Sequence, residues 1–173
     1  MTAAAKRCEV FEGDITTLAV DAIVNAANTA LAPGAGVCGA IHRAAGPQLA
    51  RACREVAPCP TGEARITPGF ALEARYIIHA VGPVWHGGGA GEAAALASCY
   101  RSSLELARDH GLASIAFPAI STGVYRFPPE LAADIAVATV GELMTGTPAI
   151  EQVIFACFDK ATAALYRAKL AGG

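Results

Sequence analysis

Short β-rich runs and helical segments alternate along this chain. The run at residues 22–25 is apolar on consecutive residues, which is typical of strands covered on both faces, and residues 114–120 are predicted as a second buried strand. The alternation predicts an α/β protein with a mostly parallel sheet between helices and a ligand site at the carboxyl ends of the strands. The other predicted strands are residues 8–11, 64–66, 75–81 and 152–158; the predicted helices are residues 37–56, 97–107, 129–145 and 160–170, and HGGGAG at 86–91 is a predicted flexible loop.

The composition supports one compact fold. Hydrophobic residues make up 54% of the chain and charged residues 16%, so the chain can bury enough surface to offset its conformational entropy, which excludes disorder. Aromatic residues are only 6%, so small aliphatic side chains suited to close packing dominate. No linker, charge block or internal repeat divides the sequence, and we expect residues 1–173 to form a single domain.

The charge balance restricts the partners. Thirteen Lys and Arg residues against fifteen Asp and Glu residues give a formal net charge of −2. This balance provides no field for holding a phosphate backbone, so a nucleic-acid duplex is not an expected partner. If an anionic ligand binds, backbone N–H groups and helix N-termini must supply most of the attraction.

The N-terminus has a basic pair but lacks the apolar stretch of a secretory signal, and no uncharged run reaches the roughly 18 residues of a membrane span. The six cysteines include no CxxC pair. We therefore expect a cytoplasmic protein with free, mostly buried thiols and no membrane partner.

Three segments that follow predicted strands carry polar groups suited to ligand binding. The first is GDIT at residues 13–16. The Asp14 carboxylate can accept a hydrogen bond from an exocyclic amine such as adenine N6, while the neighbouring backbone N–H groups serve a ring nitrogen. The same pattern also fits an aspartate that merely caps a turn, and GDIT alone favours the turn.

The second segment follows the strand at residues 22–25. Asn25 and Asn28 carry uncharged donors and acceptors that suit ribose hydroxyls. Gly34, Gly36 and Gly39 come next, immediately before a helix. Glycines let the backbone approach a ligand closely, and N–H groups at a helix start favour a diphosphate. An ordinary loop with buried amides is the simpler alternative, but it leaves the number of small residues unexplained.

This segment also matches the dinucleotide-binding pattern G-x-G-x-x-G as GAGVCG. That pattern requires a tight turn directly after a strand, then a second strand that ends in an acidic residue about 20 positions later. Here a loop at 28–33 comes first, and residues 53–63 contain Pro58 and Pro60 where the second strand should be. We interpret the match as incidental, and a dehydrogenase is the least favoured of the three functions considered for this sequence.

The third segment follows the strand at residues 114–120. Its hydroxyls and successive backbone N–H groups predict a second anion-binding loop, formed by Ser121, Thr122, Gly123 and Val124. Tyr125 is placed to cover a sugar. A plain connection between a strand and a helix is the alternative, although the flanking Phe-Pro pairs make the segment unusually rigid for one.

In this order, GDIT, VNAAN, the glycine-rich loop leading into GAIHRAAGP, and FPAISTGVYRFP resemble the motifs of macrodomains, specifically the MacroD-type hydrolases. CPTGEA and HAVGPVW extend the resemblance, which runs from about Cys8 to Tyr166. It implies a three-layer α/β/α sandwich with a mixed, mostly parallel sheet that binds ADP-ribose. It also implies removal of ADP-ribose from acidic side chains of mono-ADP-ribosylated proteins and deacetylation of O-acetyl-ADP-ribose, without a cofactor.

The resemblance also implies roles for individual residues. The adenine site falls on Asp14, Ile15 and Phe158. Two diphosphate loops fall on Gly34, Gly36, Val37 and Gly39, and on Ser121, Thr122, Gly123 and Val124. The distal ribose falls beside Asn25, and the catalytic site on Asn28, Cys38 and Tyr125.

Cys38 departs from the family pattern GGGGVDG, which has an aspartate implicated in catalysis at this position. A carboxylate is ionised at neutral pH and can deprotonate water, whereas a thiol with a pKa of about 8.5 is mostly neutral. The helix N-terminus could make Cys38 a thiolate that acts as base or nucleophile. Alternatively, the diphosphate of the substrate activates water, the protein only reads ADP-ribose, or Cys38 is a small buried hydrophobe.

A metal site is not expected. Cys38 and His42 are four residues apart and could share a helix face, but no third or fourth ligand follows at the usual spacing. The leading hypothesis is therefore a metal-independent hydrolase of ADP-ribosyl or O-acetyl-ADP-ribose esters, and the alternative is a non-catalytic ADP-ribose reader.

Overall fold

The computed structural model describes residues 7–172, and within that range six strands form one sheet. The strands are β1 (Cys8–Glu12), β2 (Ala22–Ala27), β3 (Ala64–Pro68), β4 (Tyr76–Val81), β5 (Ser114–Phe117) and β6 (Gln152–Cys157). Their order across the sheet is β1-β6-β5-β2-β4-β3. All neighbours pair in parallel except β3, which is antiparallel to β4. The predicted mixed, mostly parallel sheet is confirmed.

Helices cover both faces of this sheet: α1 (Gly36–Ala45), α2 (Gln48–Val56), α3 (Glu92–Asp109), α4 (Pro129–Thr145) and α5 (Lys160–Gly172). Successive strand residues point to opposite faces. Ile23 and Ile77 therefore pack in the cluster that includes α1 and α2, whereas Val24 and Ile78 pack in the cluster that includes α3, α4 and α5. This division confirms the three-layer α/β/α sandwich.

The predicted single helix over residues 37–56 is wrong. Two helices occupy this stretch, because Gly46 ends α1 with a positive φ of 93° and Pro47 follows it. Proline lacks the N–H that a continuing helix would need. The following strand, β3, is antiparallel, which is inconsistent with the dinucleotide-binding fold considered for GAGVCG.

Two strand ends differ from the predictions, and both differences bear on the site. Strand β2 continues to Ala27, two residues further than predicted, and β5 ends at Phe117, three residues earlier. Asn28 and Pro118 are therefore the first residues beyond their strands. None of the helices within residues 7–172 is long and apolar enough to cross a membrane.

Candidate functional site

A cleft of about 650 Å³ opens at the carboxyl edge of the sheet. Its lining includes the residues that directly follow all five parallel strands: Gly13, Asn28, Gly82, Pro118 and Phe158. This is the edge at which parallel α/β sheets bind ligands. The volume lies within the range of small-molecule sites.

The strand order gives the cleft a direction. Gly13 and Phe158 follow β1 and β6 at one end, whereas Asn28 and Gly82 follow β2 and β4 at the other. Four strand spacings of about 4.8 Å separate β1 from β4, or about 19 Å. The cleft therefore suits an elongated ligand laid across the strands.

Asp14 lines the β1/β6 end and is exposed. Its Oδ1 accepts hydrogen bonds from the backbone N–H and hydroxyl of Thr16, at 2.9 and 2.7 Å, and so caps the single 3₁₀ turn Ile15–Thr17. The turn-capping interpretation of GDIT is thus correct for Oδ1. Among residues 7–172, Oδ2 has no hydrogen-bond partner, and it remains available to a ligand.

The N-terminus of α1 supplies the first set of backbone donors. Ala35 is the N-cap residue and makes no side-chain capping bond. The N–H groups of Gly36, Val37 and Cys38 belong to the first turn and therefore have no partner within the helix. All three residues line the cleft, as do Gly34 and Ala35. An anion placed here meets free N–H groups and the positive end of the helix dipole.

The segment 121–125 supplies the second set. The N–H groups of Gly123, Val124 and Tyr125 donate to no atom of residues 7–172, and all three residues line the cleft. The conformation is fixed by bonds from Arg126 N–H to Gly123 O, at 3.0 Å, and from Phe127 N–H to Ser121 O, at 2.9 Å. Successive N–H groups held in this way form an anion-binding concavity.

The hydroxyls of this segment have different surroundings. Thr122 Oγ1 donates to Ala119 O at 2.8 Å and serves the turn. Ser121 lines the cleft with a positive φ of 68°, and its buried Oγ has no partner among the described residues. A Cβ added to Gly82 would collide with this Oγ, so the chain needs glycine at position 82.

Asn28 and Cys38 come together at the β2/β4 end. The Asn28 amide bonds to both backbone groups of Ala32, each at 3.0 Å, which fixes its orientation. A second Nδ2 hydrogen and a second Oδ1 lone pair remain for a ligand. Cys38 lines the cleft although only 5% of it is exposed. A Cβ built on Gly34 would lie 3.7 Å from both Asn28 Nδ2 and Cys38 Sγ, so these groups border one small space.

Asn25 was predicted at the ligand, but it lies behind the cleft lining and is 1% exposed. Its Nδ2 lies 3.1 Å from His79 Nδ1 and 3.7 Å from Cys38 Sγ. Burial lowers the pKa of His79 to about 3, so the ring is neutral. A neutral ring that accepts at Nδ1 carries its proton on Nε2, which lies 2.9 Å from Thr67 Oγ1. Asn25 thus connects Cys38 to a buried polar chain.

Gly39 also lies outside the cleft lining. A Cβ at this position would come within 2.6 Å of Gly34 O, so glycine permits the loop carbonyl to pack directly against α1. Phe158, in contrast, lies at the β1/β6 end and is 88% exposed. A large aromatic side chain this exposed offers an open face for a planar ring.

Arg43 is the basic residue among the described lining residues, and the sequence analysis did not predict it at the site. It lies on α1 one turn after Gly39, and its Nη1 is 3.1 Å from the position of an added Gly39 Cβ. Helical side chains lean towards the helix N-terminus, so a side chain four positions after a residue near the cleft can reach into the cleft. Arg43 could have been predicted at the site in this way. The charged lining residues within 7–172 are Arg43, Asp14 and Asp159, so the cleft has little net charge and its anion-binding capacity is mostly backbone N–H.

The segment 86–91 is not the flexible loop that its composition predicts. The Glu92 carboxylate accepts the N–H groups of His86, Gly88 and Ala90 at 2.7 to 2.9 Å. These bonds lower the pKa of Glu92 to about 2, and the bond from His86 has the largest effect. Within residues 7–172, no three His, Cys, Asp or Glu side chains are grouped to hold a metal ion.

A second groove, also about 650 Å³, lies away from this edge, between α4 and α5. Among its described lining residues the basic side chain is Lys169, which already contacts Glu130 at 3.4 Å and Asp134 at 2.9 Å. Helix sides present no free backbone N–H groups. The carboxyl-edge cleft is therefore the candidate functional site.

A three-layer sandwich with free N–H groups along a carboxyl-edge cleft defines an α/β protein suited to an elongated anion. Residues 24–136 match the macro domain family, and the chain belongs to that family.

Relatives and solved structures agree with this assignment. A macro domain-containing protein from Ralstonia nicotianae is 62% identical over 91% of this chain and 90% of its own length. A protein from Klebsiella pneumoniae named O-acetyl-ADP-ribose deacetylase is 57% identical over 94% of this chain and 95% of its own. The structure of a mutant Oceanobacillus iheyensis macrodomain with ADP-ribose superimposes with a TM-score of 0.91 and 43% identity, covering 94% of this chain and 91% of that one.

Proposed function

We propose that this protein binds ADP-ribose in the cleft and, as a MacroD-type hydrolase of the cytoplasm, cleaves O-acetyl-ADP-ribose and mono-ADP-ribosyl esters on acidic side chains of proteins. The observation that carries the proposal is the pair of free N–H sets on one cleft, at the α1 N-terminus and at residues 123–125. A diphosphate between them needs no basic side chain.

The strand order supports one orientation of the ligand. Adenine lies at the β1/β6 end, where Asp14 Oδ2 can accept from its amine and Phe158 can cover its face. The distal ribose then lies at the β2/β4 end, beside Asn28 and Tyr125. The diphosphate then lies between adenine and the distal ribose, where the N–H groups of both loops can bind it.

The distal end limits the possible bases. The carboxylates among the described lining residues are Asp14 and Asp159, both near β1 and β6. Hydrolysis consumes one water and releases acetate and ADP-ribose from O-acetyl-ADP-ribose. The base, either the thiolate of Cys38 or a diphosphate oxygen of the substrate, takes a proton from that water and passes it to the leaving ribose oxygen, while Asn28 orients the ribose.

A second function is favoured by Cys38 itself. A thiol whose neighbours are only weak partners, Asn25 Nδ2 at 3.7 Å and Ala32 O at 3.8 Å, is a poorer general base than a carboxylate. A protein that keeps the binding surface without that base reads ADP-ribose and does not hydrolyse it.

Two experiments test the proposal: the first tests ADP-ribose binding, and the second separates the hydrolase from the reader. Calorimetry should give tight binding of ADP-ribose and weaker binding of NAD; binding of neither ligand, or tighter binding of NAD, overturns the assignment of the cleft. Release of acetate from O-acetyl-ADP-ribose and of ADP-ribose from a mono-ADP-ribosylated protein then distinguishes the enzyme from the reader.

The placement of adenine has its own test. Asp14→Ala should weaken ADP-ribose binding much more than ribose-5-phosphate binding, because only the former carries the amine that Oδ2 would accept. Equal losses for the two ligands contradict the placement.

A further inference from the structure

The loop from Trp85 to Glu92 is glycine-rich but is held by one buried carboxylate. Glu92 is 2% exposed. Its Oε2 accepts from His86 N–H at 2.8 Å and Gly88 N–H at 2.9 Å, and its Oε1 accepts from Ala90 N–H at 2.7 Å. Charge-assisted bonds of this kind are stronger than those between neutral groups. Glu92 therefore determines the path of a loop that would otherwise have little structure of its own.

The same loop is attached to the wall of the cleft. Trp85 N–H donates to Tyr125 O at 2.8 Å. The Trp85 ring packs on that of Phe127, with centroids 4.8 Å apart, and Phe127 is 1% exposed. Trp85 also lies against Gly88, where an added Cβ would come within 3.0 Å of the ring. One residue, Trp85, thus joins the Glu92-bonded loop to Tyr125.

The segment around Tyr125 needs such support. Ser121 and Arg126 have positive φ angles of 68° and 62°, a conformation that costs a non-glycine residue about 1 kcal/mol or more. Only two of the stabilising backbone bonds, to Ser121 O and Gly123 O, come from within the segment. The bond from Trp85 fixes the carbonyl of Tyr125 from outside.

We infer that Glu92 is a positioning residue for the distal end of the site: it holds the loop that fixes Tyr125 beside the ribose. This inference rests on the proposed function only for the identity of the ligand at Tyr125. Glu92 is not among the residues that line the cleft. Its effect should therefore fall on the distal ribose and on turnover, and not on adenine, which lies four strands away.

The test compares ADP-ribose with ADP, which lacks the distal ribose. In Glu92→Gln, one acceptor oxygen becomes an NH₂ group that faces a backbone N–H. We expect ADP-ribose affinity and kcat for O-acetyl-ADP-ribose each to fall about tenfold, with ADP affinity within about twofold of the natural chain. If Glu92→Gln folds poorly, Gly88→Ala replaces it in the test. This variant perturbs the same loop where Gly88 meets Trp85 and should show the same selective loss.

Asp21→Asn is the matched control. Asp21 Oδ2 likewise accepts backbone N–H groups, those of Ala113 and Ser114, but at the amino edge of the sheet. This variant should lower the Tm and leave kcat and the ADP-ribose to ADP affinity ratio unchanged. Equal losses for ADP and ADP-ribose in Glu92→Gln, or the same loss in Asp21→Asn, overturn the inference. If the natural chain hydrolyses nothing, the proposed hydrolase fails, while the affinity ratio still tests Glu92.

Discussion

At the scale of single residues, the surroundings of Cys38 fit a carboxylate better than a thiol. Asn25 Nδ2 is a hydrogen-bond donor that lies 3.7 Å from Sγ. Cys38 also lies in the first turn of α1, where the helix dipole favours a negative charge. A carboxylate in this place would be held by both and would face the space beside Asn28.

We therefore expect Cys38→Asp to increase the rate of O-acetyl-ADP-ribose hydrolysis by at least about tenfold, since a positioned general base contributes 100-fold or more. Initial rates of acetate release measure this. Cys38→Asn has the same shape without the charge and should give no increase. An unchanged or lower rate in Cys38→Asp would show that Cys38 is not what limits catalysis.

The space bordered by Asn28 and Cys38 gives a second prediction. In Gly34→Ala the new methyl group would lie 3.7 Å from Asn28 Nδ2 and from Cys38 Sγ, which is ordinary contact and not a clash. We expect an unchanged Tm, a roughly tenfold weaker binding of ADP-ribose and little change for ADP. Gly141→Ala in α4, where no atom lies within 4 Å of the added Cβ, is the control and should bind both normally. A Gly34→Ala chain that binds ADP-ribose normally would place the distal ribose elsewhere.

At the scale of elements, the sequence patterns predicted well which segments line the cleft. They predicted less well which side chains of those segments face it. The three segments after β1, β2 and β5 do line one cleft, because parallel strands bring their carboxyl ends to the same edge. Asn25 lies behind the cleft lining and not in it, because β2 extends past this residue to Ala27 and leaves the side chain inside the sandwich. The order of loop 86–91 depends on one carboxylate at its end, which a count of glycines does not reveal.

The contact between α1 and its preceding loop is testable at this scale. In Gly39→Ala the added Cβ would meet Gly34 O at 2.6 Å, so helix and loop must separate. We expect a destabilisation of about 1 to 3 kcal/mol, as for overpacked cores, with weaker binding of both ADP and ADP-ribose because the N–H groups of the α1 turn move. Urea unfolding and calorimetry measure these effects. Binding of ADP at natural affinity would contradict a diphosphate at this turn.

At the scale of the whole molecule, low charge and anion binding are compatible because the fold supplies the donors. With a net charge of −2, the chain has no overall attraction for a diphosphate. The parallel strands instead carry the N-terminus of α1 and the segment 123–125 to one edge, where their N–H groups are free. Buried titratable side chains follow the same rule: Glu92 keeps its charge because three backbone N–H groups bind it, whereas burial keeps His79 neutral.

His79 makes the stability of the whole fold depend on pH. Burial lowers its pKa from 6.5 to about 3, so between these values the unfolded chain binds a proton that the folded chain does not. Stability must therefore fall as pH decreases from 6.5, by about 1.4 kcal/mol per pH unit for one proton. Burial of His42 lowers its pKa as well and adds to this slope, whereas the lowered carboxylate pKa values of Asp21 and Glu92 act only below about pH 4.5. Urea unfolding between pH 6.5 and 4.5 measures how steeply the free energy of unfolding depends on pH. His79→Gln should reduce this slope by nearly the contribution of one proton, about 1.4 kcal/mol per pH unit, whereas the control His110→Gln, at an exposed site, should not change it. Equal slopes in all three chains would mean that His79 is not buried as a neutral ring.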